Sequence, residues 1–293
     1  MFKRIGYIGC LFMSFAGYGQ TKVSITIDDV PNTRQYYADG FQPRLLEQLD
    51  SLDIPVAIFI NEGLIDKTES VDKNKQLLND WVAKPYTTLG NHSYSHLRYS
   101  DVGINSFKTD VMKGETLTKA LANRYQKPLQ YFRFPFNDLG RDKAQHRQMD
   151  NMLQTLGYIN TPFTVESSDW MFSYIYDYYL EHGELDQARK MGERYVSTTL
   201  KYFHFFDSLS MKLYGREVSQ IYLCHDNALN ANYLPEILRQ LEMKEYQFVS
   251  LEEAMMDQVY HQKDVYEKKW GVSWFYPMDG CAGRKNKVDE GRA

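Results

Sequence analysis

Seven residues able to move protons or hold cations stand at the ends of apolar runs along this 293-residue chain. Asp28 and Asp29 lie side by side in "SITIDDVPN" (24–32). Adjacent carboxylates repel, so either a turn exposes both or a positive group sits beside them. "HSYSH" puts His92 and His96 at i, i+4, where two imidazoles on one helical turn can bind a single metal ion. Two neutral histidines plus a carboxylate from a neighbouring strand form a common catalytic set that leaves positions open for water and substrate. One of the two acids then ligates, and the other serves as general base toward a water. Taken alone, the pair reads more simply as a turn or helix cap.

Arg133 in "FRFPFND" lies within an apolar run, and a buried arginine has to be paired. Asp28 as its partner would have its orientation fixed; a purely structural salt bridge is the alternative. Asp169 in "ESSDW" is either the N-cap of a following helix or a carboxylate that orients an imidazole. The neighbouring Trp170 lines a pocket or packs. His225 in "YLCHDN" reads by itself as a satisfied core or turn histidine; beside Asp169 it becomes a candidate general acid.

Strands and helices that alternate must position these residues. Strands are expected at 23–27, 55–61, 86–92, 129–135, 158–166, 219–225 and 246–251. The first alternates apolar and polar residues like a half-buried strand, whereas "PVAIFIN" is continuously apolar and reads as buried on both faces. Helices are expected over 43–52, 105–123, 144–157, 170–214 and 234–244, with Gly157 as a C-cap. Seven strands separated by helices imply a parallel sheet or barrel. The ionisable residues then gather at the C-terminal rim of five strands, where βα folds build active sites. Segment 170–214 is too long for a simple crossover and reads as a helical insertion.

The net charge of −4 shows no basic excess that would suit nucleic acid. Twenty-three Tyr, 16 Phe and 4 Trp are numerous enough to serve both as core and as platforms for sugar rings, with Trp270, Trp274 and Tyr276 of "KWGVSWFYP" as candidates. Lys3, Arg4 and the apolar run Ile5 to Ala16 read as a signal peptide over 1–19, too short to span a bilayer. The expected organisation is therefore signal peptide 1–19, catalytic domain 20–276 and polar tail 277–293, in a secreted or periplasmic protein with no membrane span once mature. Cys10 leaves with the signal, so Cys224 and Cys281 remain as one possible disulfide.

In order, "TIDDV", "HSYSH", "RFPFN", "SSDW" and "LCH" resemble the five motifs of the polysaccharide deacetylase family, the NodB-homology group of carbohydrate esterases (family 4). The resemblance covers roughly residues 22 to 251. It implies a distorted (β/α) barrel of about seven strands, which agrees with the strand count above. It implies Asp28 as catalytic base, Asp29, His92 and His96 as ligands of a divalent metal (usually zinc), and Arg133 as the residue orienting the base. It implies Asp169 tuning His225, the general acid. Trp170 and Leu223 match positions lining the acetyl pocket, and the Phe136 main-chain N–H matches an oxyanion donor. The implied substrate is an acetylated poly- or oligosaccharide.

Two positions depart from the pattern. Val30, followed by Pro31, stands where the family has a glycine after the acid pair, and Asn137 stands where it closes RxPxG with glycine. Asparagine tolerates the left-handed region and can keep such a turn; Val30 does not, so the loop after Asp29 is expected to take another path. Two rivals follow. A catalytically silent glycan-binding protein would keep the metal set. A glycoside hydrolase would need acids flanking the bond from opposite sides, which adjacent Asp28 and Asp29 do not supply.

Overall fold

The computed structural model describes residues 20–278. Its strands are Lys22–Val30 (β1), Val56–Ile60 (β2), Thr87–Asn91 (β3), Leu129–Phe132 (β4), Ile159–Asn160 (β5), Val165–Glu166 (β6), Gln220–His225 (β7) and Gln247–Phe248 (β8). Every ladder between them is parallel. The order is β5-β4-β3-β2-β1-β7-β6, with β8 paired to the start of β1. The two ends of that order belong to one segment. Thr161 N–H donates to Phe132 on one side, and Thr164 N–H donates to Ile221 on the other. A single segment touching both edges requires the sheet to curl, and the result is a distorted (β/α) barrel of seven strands.

The closing segment differs from the one strand expected over 158–166. Pro162 lies at its middle and has no N–H for a ladder, so the run splits into two short strands on opposite edges. β1 differs too. It reads as half-buried, yet Val23 through Asp28 are all buried. The polar positions Thr26 and Asp28 share one face, as residues two apart in a strand do, and that face is covered by Arg133, whose Nη1 donates to both. Alternation here separates a polar interior from an apolar exterior, not core from solvent.

The helix expected over 105–123 is two, Tyr99–Lys113 and Thr116–Arg124. The break falls at Gly114, where a Cβ would lie 2.4 Å from the Ser93 carbonyl carbon. Only glycine lets this helix end approach the loop that carries the two histidines. Helix Lys143–Leu156 starts on Asp142, whose side chain accepts from Ala144 N and Gln145 N, and stops at Gly157 with φ 75°. The helical insertion is a pair, Asp169–Glu181 and Leu185–Tyr214, turning at Gly183. Helix Ala228–Met243 begins six residues before the expected start, because Pro235 reads as a helix start but sits inside. Asn227 caps it by accepting from Asn230 N.

Apolar residues on both sides of β1, β2 and β7 form the main core. A second cluster, rich in Phe and Tyr, supports the turn after β4; Phe107 and Phe134 stack at 5.2 Å within it. Cys224 is buried, with Sγ facing the Thr26 carbonyl at 3.6 Å. Cys10, Cys281 and the signal segment lie outside the described residues. No helix among the described residues is long and apolar enough to cross a membrane.

Candidate functional site

In a regular strand Asp28 and Asp29 would point to opposite faces. The β1–β2 register shifts between Ile27 and Val30, and Asp29 takes φ 58°. This bulge turns both acids toward one cavity at the strand ends, which they line together with His92, His96 and His225. The left-handed conformation that Val30 would resist is thus carried by Asp29. Val30 itself stays in β1, fully buried, and Asn32 is tied down through its N–H to Asp226 Oδ2 at 2.8 Å.

Asp29, His92 and His96 bring one ligand atom each to within 4.8 Å of one another. His96 Nε2 is 3.5 Å and His92 Nε2 3.8 Å from Asp29 Oδ1. Ligand bonds of about 2.0–2.2 Å in tetrahedral geometry separate ligand atoms by roughly 3.3–3.6 Å; the His96 distance falls within that range and the His92 distance is slightly wider, a spacing close to that of a small divalent cation site. The donor chemistry fits as well. His92 Nδ1 donates to the Arg133 carbonyl at 2.8 Å, which leaves the Nε2 lone pair facing Asp29. Burial pulls His96 down to about 4, so its imidazole is neutral at pH 7. Burial opposes ionisation of Asp29, but His96 and His92 outweigh it and hold its carboxyl below the usual range.

Asp28 is buried and takes Arg133 Nη1 on Oδ1 at 2.8 Å. The same nitrogen donates to Thr26 Oγ1 at 2.7 Å, and the guanidinium lies 4.2 Å from the Phe59 ring. Held from below in this way, Asp28 keeps a fixed orientation. The β1–β7 register places Asp28 directly beside His225.

Asp169 is not the N-cap of its helix; Ser168 occupies that position. The fully buried Asp169 carboxylate reaches across to β7 instead. Oδ1 accepts from His225 Nδ1 at 2.7 Å, and Oδ2 accepts from His225 N and Asn230 Nδ2. Burial works against a charged His225, but the Asp169 carboxylate prevails and pushes it up to about 10. Asp169 is lowered by the same pairing, against its burial. With Nδ1 committed, Nε2 is the nitrogen left for chemistry.

Phe136, Trp170 and Leu223 line the same cavity. Phe136 sits at φ 59° and Asn137 at φ 51°, so asparagine does occupy a left-handed position here. Trp270 also reaches the cavity, because segment 269–271 lies against the turn after β4: Leu139 N–H donates to Lys269, and Asp138 bridges Trp270. Trp274 and Tyr276 do not reach it. Trp274 donates to the Val259 carbonyl, and Tyr276 packs near Phe206. Sequence reasoning missed Arg98 and Glu166, which line the cavity, and Asn61, which hydrogen-bonds Asp29. Glu166 stands in "ESSDW", Asn61 just past β2 and Arg98 two residues beyond His96, but residue type alone did not single any of them out.

Residues 17–158 match the family model described as polysaccharide deacetylase. A peptidoglycan-N-acetylglucosamine deacetylase from Bacillus cereus is 22% identical over 158 residues, 54% of this chain and 50% of that protein. The chain thus spans about half the length of this curated relative. A solved polysaccharide deacetylase from Bacillus cereus aligns with a TM-score of 0.53 at 18% identity, over 79% of this chain and 92% of that one. A pseudoenzyme of the CE4 family from Bacillus anthracis aligns with a TM-score of 0.55 at 15% identity, over 80% and 66%. At such identities the structural likenesses speak for the fold. With just under half of the sequence matched, the motifs in order and the barrel shared, this chain is similar to the polysaccharide deacetylase family in sequence and in fold.

Proposed function

We propose that the chain is a metal-dependent hydrolase that removes acetyl groups, as amide or ester, from a glycan outside the cytoplasm. The observation that carries this is the pairing of Asp28 with His225 across β1 and β7, each with its own buried counter-charge, beside a three-ligand cluster. Asp29, His92 and His96 would hold a divalent ion, zinc being the family's usual choice. When bound, the ion supplies Lewis acidity to the acyl carbonyl and to a water.

Asp28, oriented by Arg133, takes the proton of the attacking water. The water oxygen adds to the acyl carbon. The Phe136 N–H donates to the developing oxyanion, the kind of contact whose removal costs about 3–4 kcal/mol. His225, charged and held by Asp169, delivers a proton from Nε2 to the leaving nitrogen or oxygen. Products are acetate and the deacetylated sugar. Trp170 and Leu223 confine the acetyl methyl group.

The experiment is acetate release from a panel of acetylated glycans, with chelator and with added zinc. Acetate should appear with metal and vanish in Asp28→Asn and His225→Ala. The silent glycan-binding reading draws on the altered loop at Val30 to Asn32; glycan binding without acetate release in the metal-loaded protein would favour it. New reducing ends in place of acetate would point to glycoside hydrolysis.

A further inference from the structure

Behind Asp169 runs a line of buried polar groups that no catalytic step above uses. Asn230 sits in helix Ala228–Met243 and spends both amide hydrogens on the acid pair, one on Asp169 Oδ2 at 2.7 Å and one on the His225 carbonyl at 2.9 Å. Its Oδ1 accepts from the Tyr195 hydroxyl at 2.6 Å. The Tyr195 oxygen is 2.8 Å from the Tyr222 hydroxyl, which is 3.2 Å from Ser167 Oγ, and Thr199 Oγ1 lies 3.0 Å from the same Ser167 oxygen. Every side chain in the line, from Thr199 to Asp169, is no more than 1% exposed. Each hydroxyl has one proton to give. Asn230 Oδ1 has none, so Tyr195 donates to it; Tyr222 then donates to Tyr195, Ser167 to Tyr222 and Thr199 to Ser167. Burial raises the Tyr195 and Tyr222 phenols well above their usual range, so both keep that proton. The donors all point the same way, toward the Asp169 carboxylate, and hydrogen bonds in series in a dry interior strengthen one another. An Asn230 amide turned the other way would set Oδ1 against a carboxylate and a carbonyl, and the Tyr195 hydroxyl holds it against that turn.

We propose that Tyr195 and Asn230 are positioning residues for the general acid: the helical insertion, through Tyr195, holds Asp169 and with it the His225 imidazole in the orientation that protonates the leaving group. This rests on the deacetylase reading above. Neither residue lines the cavity, so both act through Asp169 and His225 and not on the substrate. Tyr195 and Thr199 stand four residues apart on one face of helix Leu185–Tyr214, the long helix of the insertion. That face gives the insertion a part in the chemistry besides its packing.

The test uses the zinc-loaded full chain with Tyr195→Phe, which removes one hydroxyl and keeps the ring, and with Thr199→Val, a milder change at the far end of the line. Acetate release is followed on a β-1,4-linked N-acetylglucosamine tetramer and on acetylated xylan, whose leaving groups need a proton, and on p-nitrophenyl acetate, whose phenolate leaves without one. Tyr195→Phe should lower kcat on the glycans by about tenfold with KM unchanged, and should leave turnover of p-nitrophenyl acetate as it is. Thr199→Val should do the same more weakly. A readout independent of turnover is the His225 Nδ1–H proton resonance, identified by its absence in His225→Ala. Held against Asp169 in the native chain, this proton should exchange with water faster in Tyr195→Phe. Equal losses on all three substrates, unchanged rates on all three, or unchanged exchange of this proton overturns the proposal. If Tyr195→Phe does not fold, the same comparisons with Thr199→Val decide. If the native chain releases acetate from neither glycan, the deacetylase reading falls instead, and the resonance decides alone: faster exchange leaves Tyr195 as a positioning residue of the His225 imidazole, and unchanged exchange removes it.

Discussion

Asp28 and Asp29 are sequence neighbours with different environments. Asp28 is sealed against Arg133, while Asp29 faces two imidazoles. The Asp28–Arg133 pair is buried on both sides, so removing one partner strands the other charge. Arg133→Met should cost about 3–5 kcal/mol of stability, read by denaturant unfolding; a loss below 1 kcal/mol would show that the pair is not buried as described. The Asp169–His225 pair sets a pH dependence. His225 is raised from the 6.5 of a free imidazole to about 10, so its charged, proton-donating form persists through neutral pH and is lost as pH rises toward 10. Its contribution to stability is likewise full below about 6.5 and lost as pH rises through the folded value. Asp169, lowered, contributes above about 3.9 and loses that contribution as pH falls. Asp169→Asn removes the charge that opposes burial. The alkaline limb of kcat/KM should then move to lower pH, and an unmoved limb would mean that His225 is not the acid.

At the scale of elements, positioning depends on a few close approaches. Gly114 lets the end of helix Tyr99–Lys113 lie against Ser93, in the loop between His92 and His96. Gly114→Ala would push that loop, costing about 1–3 kcal/mol by overpacking. It should also weaken zinc binding in a competitive chelator titration; stability lost with metal affinity unchanged would show that the loop shifts without moving the histidines. Much of this arrangement was legible in the sequence. The apolar runs marked β1 to β4 and β7, and the ionisable residues at their ends predicted a shared rim. The motifs carried Asp28, Asp29, His92, His96, Arg133, Asp169 and His225 to positions that the barrel brings together. What was not legible depended on non-local contacts. The split of 158–166 into two edge strands needs both edges to be present. The bulge at Asp29 needs β2 as partner, and the placement of Trp270 needs the turn after β4. Burial of Ser24 and Thr26 was hidden because alternation looks the same whether the polar face meets water or a buried guanidinium.

At the scale of the molecule, a cation held by residues from separate elements should stabilise the fold. Asp29 comes from β1, and the two histidines come from the loop after β3. Zinc at a hundred times its Kd should add about 2.7 kcal/mol, seen as a rise in Tm that chelator reverses and His96→Ala abolishes. An equal rise in His96→Ala would place the cation elsewhere. The central claim is that this cluster serves acetyl hydrolysis. It is tested most directly by stripping the protein with chelator, titrating zinc back, and following acetate release from an acetylated glycan in parallel with bound metal, for the native chain and for His225→Ala. The account predicts acetate release that rises with zinc occupancy in the native chain, and a variant that takes up the same zinc and releases almost none. Zinc filling the site in both proteins while the native chain binds the glycan and releases no acetate would contradict it.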